Sequence, residues 1–151
     1  DKNKKKSVNI RAREIRSQNF DIDQVYLDEV SYQTIVSEEK FLQFVVGEDK
    51  KILAFLRLSL PKKNQKPIFK NLTDCAMIRE VHVYGGAVSI GKKAKNKAQH
   101  SGFGSKLIKK AKKIAKKQGF KKLAVISAVG TKEYYRQRDF FDRNLYQICQ
   151  L

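Results

Sequence analysis

"AQHSGFGSKLIKKAKKIAKKQG", Ala98 to Gly119, runs from a glycine-bearing loop straight into a lysine-rich helix. Its apolar residues Leu107, Ile108, Ala111, Ile114 and Ala115 recur at the spacing of one face of a 3.6-residue helix. Lysines 109, 110, 112, 113, 116 and 117 fill most of the remaining circumference, and Gly119 is placed to end the helix. In Gln99-His100-Ser101-Gly102-Phe103-Gly104 the small residues let backbone approach a ligand, and the first amides of the helix lack intrahelical acceptors. Such a terminus suits an anion, a diphosphate included; a plain turn fits the spacing equally well. A dinucleotide fingerprint needs three glycines as G-x-G-x-x-G and a P-loop needs Gly-Lys-Ser/Thr, and neither is present.

Working outward, "AMIREVHVYGG" before the loop reads as a strand broken by Gly85 and Gly86, and a lysine-rich connection leads from it to Ala98. After the helix, "KLAVIS" is a short buried strand, "TKEYYRQRD" a second helix begun by Thr131 as N-cap, and "NLYQICQL" a final strand. Upstream, "FLQFVVGEDKKILAFLRLSL" places turn chemistry between two apolar runs and predicts a hairpin from Phe41 to Leu60. "VNIRAREI" and "QVYLDEVSYQTIV" alternate weakly and favour strands, and "PKKNQKP" is a loop. Residues 1–10 are expected to form a poorly ordered basic arm and residues 11–151 a single domain. Antiparallel strands followed by strand, helix, strand, helix, strand predict an α+β, or mixed α/β, architecture.

The 151 residues carry 33 Lys+Arg against 15 Asp+Glu, a formal charge of +18, and 41% of them are hydrophobic, enough for one substantial core. That excess attracts polyanions, with nucleic acid ahead of an acidic membrane surface; the alternative is a lysine-rich proteome that raises charge everywhere. Cys75 and Cys149 have neither metal-ligand spacing nor the density of a secreted scaffold, which points to a reducing, cytoplasmic home. No apolar run approaches the ~20 residues that cross a bilayer.

The element Q/R-x-x-G-x-G/A opening a long helix resembles the acyl-CoA pyrophosphate loop of the GCN5-related N-acetyltransferase superfamily, matched by Gln99, Gly102 and Gly104. "IREVHVYG", "QHSGFG" and "AVIS-VGT-YYR", in that order, are similar to the acetyltransferase domain of the catalytic subunit of Elongator, a tRNA-modifying enzyme. The resemblance implies a mostly antiparallel central sheet, flanked by helices and splayed between two strands for acetyl-CoA. It also implies that Glu80, Val81, His82 and Val83 line the thioester, that Phe103, Gly104 and Ser105 hold the diphosphate, and that Tyr135 reaches the sulfur; as a proton donor by chemistry alone, Tyr134 is the neighbouring candidate.

Chemistry asks for compatible groups there. Pantetheine amides pair with an exposed strand edge, a strand N–H can polarise a thioester carbonyl, and a tyrosine can protonate a departing thiolate. Other readings stand beside these: the tyrosines as core and rim residues, His82 as a base or a half-buried structural side chain, His100 as structural or a phosphate neighbour. Glu80 either activates water or pairs with a lysine. The two cysteines carry no assigned chemistry.

The resemblance further implies thioester cleavage in response to tRNA, on the route to 5-carboxymethyl modification of the wobble uridine. A radical S-adenosylmethionine domain or other Elongator-type subunits would complete that reaction; this chain has no cysteine triad for an iron–sulfur cluster, so it is expected to be a C-terminal fragment or a natural short form. The competing classes are a catalytically weak tRNA- and CoA-binding module and a protein-lysine or small-amine N-acetyltransferase. One departure from the family pattern is Arg138-Asp139, where an apolar residue and glycine usually precede the aromatic.

Overall fold

A computed structural model describes residues 9–85, 88–90 and 102–151. Its centre is the β-hairpin of β3 (Ser37–Val46) and β4 (Lys51–Pro61). Gly47 (φ 72°) and Lys50 (φ 48°) turn the chain between them, as the "GEDK" chemistry predicts. Both strands read as near-continuous apolar runs because both of their faces are covered. Leu42, Leu56 and Leu58 belong to the large core that includes the long helix, whereas Phe41, Val45, Ile52 and Phe55 form a second cluster with Ile10 and Tyr84.

The hairpin belongs to a seven-stranded sheet. β2 (Tyr26–Gln33) forms one edge, then come β3, β4, β5 (Cys75–Val83), β7 (Lys122–Val125), β9 (Tyr146–Gln150) and β8 (Phe141–Arg143). Within it only β5 and β7 run parallel; every other pairing is antiparallel. The parallel pair is what the long helix α2 (Phe103–Lys117) connects, since parallel neighbours need a crossover. A separate two-stranded parallel sheet pairs β1 (Asn19–Asp21) with β6 (Val88–Ile90).

α2 lies against the sheet through Phe103, Leu107, Ile108, Ala111 and Ala115, all buried. Burying each large side chain of that face stabilises the packing by about 1.5–3 kcal/mol. The helix ends in a Schellman turn: Gly119 (φ 87°) donates to Lys116 C=O at 3.0 Å and Phe120 donates to Ala115 C=O at 3.1 Å. α3 (Lys132–Arg136) follows β7 through a 3₁₀ turn. Thr131 holds the N-cap position without capping by its side chain; its hydroxyl donates back to Ala128 C=O at 3.0 Å.

One sequence expectation fails in the N-terminal segment. "VNIRAREI" contains a short helix, α1 (Ile10–Arg13), instead of a strand. Asn9 caps it by accepting from the Arg11 amide at 2.9 Å, a local bond that outweighs a weak alternation. In this segment Glu14 forms an isolated parallel bridge with Ile52, and the Ile15 amide donates to Ile52 C=O at 3.0 Å. No helix among the described residues is long and apolar enough to cross a membrane.

Candidate active site

β5 is paired along its length with β4 but only in its first half with β7. Cys75, Ala76, Met77 and Ile78 face Lys122 to Val125, after which β7 ends and its chain leaves the sheet through Ile126 and Ser127. Among the described residues, therefore, β5 has no partner on its β7 side from Arg79 to Val83, and the pairing of the two strands parts there. A bulge accompanies the separation: Arg57 opposes Glu80 and Leu58 opposes Ile78, leaving Arg79 unmatched. Such a bulge bends the strand and reverses which residues face each side.

That reversal sets the orientation of the four candidate residues. Val81 and Val83 are half-buried against the core beneath α2. Glu80 and His82 point to the opposite face, as alternation requires. His82 stacks near Phe55 (5.8 Å between ring centroids) and Tyr84 (4.5 Å). Glu80 pairs with Arg57, Nε to Oε2 at 3.5 Å, so its counter-ion is an arginine on the adjacent strand and not a lysine.

The N-terminus of α2 borders this opening. Gly102 is its N-cap in the left-handed conformation (φ 67°, ψ 21°), which few side chains tolerate, and among the described residues no side chain caps the helix. The first intrahelical bond runs from the Lys106 amide to Gly102 C=O at 3.0 Å. The amides of Phe103, Gly104 and Ser105 precede it and find no acceptor within the helix. Phe103 itself is an anchor, 2% exposed and 4.8 Å from the Phe44 ring, so only its backbone is free to meet a ligand. Gln99, His100 and Ser101 lie outside the described residues.

Gly104 shows how tightly the surrounding elements meet. A Cβ there would collide with the Tyr134 hydroxyl and would sit 3.4 Å from Val83 Cγ2. The phenol of α3 thus stands over the first turn of α2, next to the residue that ends β5. Tyr135 is oriented differently. It is 7% exposed in the main core, edge-on to Phe140 (5.5 Å) and to Tyr134 (5.4 Å). Burial first, then the neighbouring Tyr134, push its phenol up to about 12, with Arg138 opposing.

α3 ends in a second Schellman turn, now with Asp139 (φ 65°) where glycine is favoured. Asp139 donates to Arg136 C=O at 3.1 Å and Phe140 to Tyr135 C=O at 3.2 Å, so the turn survives the departure from the family pattern. Arg138, just before it, crosses to α2: Nη2 and Nε donate to Ser105 Oγ at 2.6 and 3.1 Å, and the guanidinium lies 3.5 Å from the Tyr134 ring centroid. In the sequence Arg138 stands out only as a departure. Its position four residues after Tyr134 is the available signal for this contact. Cys75 and Cys149 are buried free thiols, both pushed up by burial. Among the described residues no cluster of His, Cys, Asp or Glu could hold a metal.

A sheet whose pairing parts between two parallel strands, with the first amides of the crossover helix at the parting, is the architecture of the acyl-coenzyme A-dependent N-acyltransferases. The chain belongs to the acetyltransferase (GNAT) family, whose sequence profile matches residues 10–143. It is 38% identical over 117 residues to Elongator complex protein 3 of Dictyostelium discoideum, covering 76% of this chain and 21% of that protein. To the tRNA uridine(34) acetyltransferase of Methanocaldococcus jannaschii it is 37% identical over 120 residues, covering 78% and 22%. Among solved structures it superposes on the archaeal Elp3 of Methanocaldococcus infernus with a TM-score of 0.72 at 28% identity, over 91% of this chain and 35% of that one. A GNAT acetyltransferase of Staphylococcus aureus, at a TM-score of 0.52 and 13% identity, shares the fold. The chain thus spans roughly a fifth of the length of the curated relatives it matches, in line with the resemblance carried by its three central motifs.

Proposed function

We propose that this domain binds acetyl-CoA across the parting of β5 and β7 and cleaves its thioester when tRNA is present. The cleavage would be one step toward 5-carboxymethyl modification of the wobble uridine in an Elongator-type enzyme. The observation that carries the reading is the convergence of the unpaired edge of β5 (Arg79 to Val83), the free amides of α2 and the Tyr134 hydroxyl around Gly104. Extended pantetheine has amides that pair with a strand edge, and the helix terminus offers donors and a dipole to the diphosphate.

In this reading Gln99, Gly102, Phe103, Gly104 and Ser105 form the diphosphate loop, and Glu80 to Val83 line the acyl arm. A β5 amide polarises the carbonyl, water adds to the acyl carbon, and the C–S bond breaks. The departing thiolate, whose thiol ordinarily titrates near pH ~8.5, takes a proton from a tyrosine hydroxyl, which is restored from solvent. Tyr134 is the better placed donor, since its hydroxyl reaches the first turn of α2 while the Tyr135 phenol is turned into the core. An amine acceptor fits less well: the carboxylate on the β5 edge, Glu80, is ion-paired with Arg57.

The test is release of free CoA from acetyl-CoA, with and without tRNA, at two salt concentrations. Turnover that needs tRNA and fades with salt is expected. Tight tRNA binding without thiol release would instead identify a binding module, and acetylated lysine peptides in place of free acetate would identify a protein acetyltransferase. Radical S-adenosylmethionine chemistry, other Elongator-type subunits and a cytoplasmic setting belong to the same proposal.

A further inference from the structure

Arg138 brings a fixed cation to a place where helix electrostatics disfavour one. It is half-buried, and its contacts point in two directions: Nη1 donates to the Tyr134 carbonyl at 2.5 Å, within α3, while Nε and Nη2 reach Ser105 Oγ in the first turn of α2. The α3 contact is favourable, because a cation belongs at a helix C-terminus. The α2 contact is not, because the N-terminus of a helix is itself partially positive. No acidic residue occupies the first turn of α2 to compensate, and Lys106 adds a further charge there. Among the described residues Arg138 has no carboxylate partner; the ion pairs nearby are Lys112–Asp139, Arg136–Glu133 and Arg136–Asp142. Among the described residues a guanidinium meets the first amides of α2, which have no acceptor within the helix, with no carboxylate between them, an arrangement that suits an anion.

The guanidinium is also oriented in advance. Ser105 holds its Nε–Nη2 edge and the Tyr134 ring supports its face at 3.5 Å. Three of its five N–H groups are engaged, so one N–H on each terminal nitrogen remains for phosphate oxygens. Being planar and already restrained, it loses little freedom on gaining those bonds.

We propose that Arg138 is a diphosphate ligand of this domain: it reaches across from the end of α3, braced by Ser105 and Tyr134, and makes charge-assisted hydrogen bonds to the phosphate groups of acetyl-CoA. The proposal rests on the acetyl-CoA reading for the identity of the ligand, but its chemistry is that of any diphosphate. Affinity for the coenzyme then depends on a residue outside the glycine loop, and α3 is tied to ligand binding as well as to proton transfer.

Calorimetric titration of the parent, Arg138→Leu and Arg138→Lys with acetyl-CoA, with acetyl-pantetheine, which lacks phosphate, and with inorganic diphosphate tests this. Loss of charge-assisted hydrogen bonds predicts that Arg138→Leu binds acetyl-CoA about 10–100-fold more weakly. Its affinity for acetyl-pantetheine should stay within about twofold, and Arg138→Lys, which keeps charge and loses the planar fork, should fall between. Equal losses for acetyl-CoA and acetyl-pantetheine, or no loss for either, would reduce Arg138 to a structural clasp between α2 and α3 and overturn the proposal. A parent that binds diphosphate through Arg138 but not acetyl-CoA would retain this site and defeat the acetyl-CoA reading instead. Should the leucine variant fail to fold, the lysine variant supplies the same comparison.

Discussion

Tyr134 and Tyr135 are adjacent in sequence but about 100° apart around α3, and that rotation separates their roles. Tyr135 points into the core against Phe140, and Tyr134 points over Gly104. Tyr134→Phe should therefore lower thiol release by about 100-fold, the scale of a lost general acid, while acetyl-CoA affinity changes less than about twofold. Unchanged turnover in that variant, with loss in Tyr135→Phe, would return the proton donor to Tyr135. The buried phenol makes its own prediction through stability. Burial raises its pKa in the folded state to about 12 from the ordinary 10.0, so the folded state keeps the proton where the unfolded chain loses it. The stability contributed by Tyr135 is complete below pH ~10 and falls as pH rises toward ~12, by an amount on the order of 2 kcal/mol. Thermal melts across that range should be less steeply pH-dependent in Tyr135→Phe than in the parent.

The two Schellman turns make a comparison at the level of elements. α2 ends on Gly119 and α3 on Asp139, both with positive φ. Glycine takes that conformation freely and aspartate does not. The ion pair that Asp139 forms with Lys112 is 3.5 Å long and its carboxylate is 87% exposed, so it compensates little. Asp139→Gly should stabilise the domain by about 0.4–1 kcal/mol and raise the melting temperature by about 1–4 °C; a lower melting temperature would mean that the Lys112 contact governs the turn. Helix ends of this kind are legible in the sequence: the period of Leu107 to Ala115 and the following glycine locate α2. So is the β3–β4 hairpin, because turn chemistry separates two runs too apolar to be exposed. The register is not legible. Nothing local shows that β7 stops at Val125 while β5 continues to Val83, or that Arg79 is bulged, since both depend on pairing between segments distant in sequence. Hence local pattern locates the strand at the site, and only the family resemblance supplies its parting. The orientation of the tyrosine pair is equally hidden, because five residues of α3 are too few to show a periodic face.

Over the whole molecule the charge is divided in a way that the net value of +18 conceals. Residues 14–49, which hold β1, β2 and β3, contain nine acidic and two basic side chains. Residues 102–132, which hold α2 and β7, contain ten lysines and no acid. Lys109, Lys113 and Lys116 recur every three or four positions on the exposed side of α2, and none of them forms an ion pair among the described residues. An RNA approaching this dipolar surface meets its most favourable potential along α2, beside the glycine loop, and its least favourable along the β2 edge. A second basic surface exists for comparison: Lys62, Lys63 and Lys66 line a groove of about 900 Å³. Reversing three lysines to glutamate in either set changes the net charge equally, so nonspecific attraction falls equally and the difference reports location. The α2 set should weaken tRNA binding far more than the groove set. For every phosphate that a variant no longer neutralises, the slope of log affinity against log salt should also become shallower by ~0.9 if the bound RNA is duplex. Equal effects from the two sets would mean that net charge alone holds the RNA, and a larger effect from the groove set would move the RNA to the groove, whose lining also includes Arg57 and Arg79. Acetyl-CoA affinity in the groove variant should match the parent, because none of its three lysines borders the parting of β5 and β7.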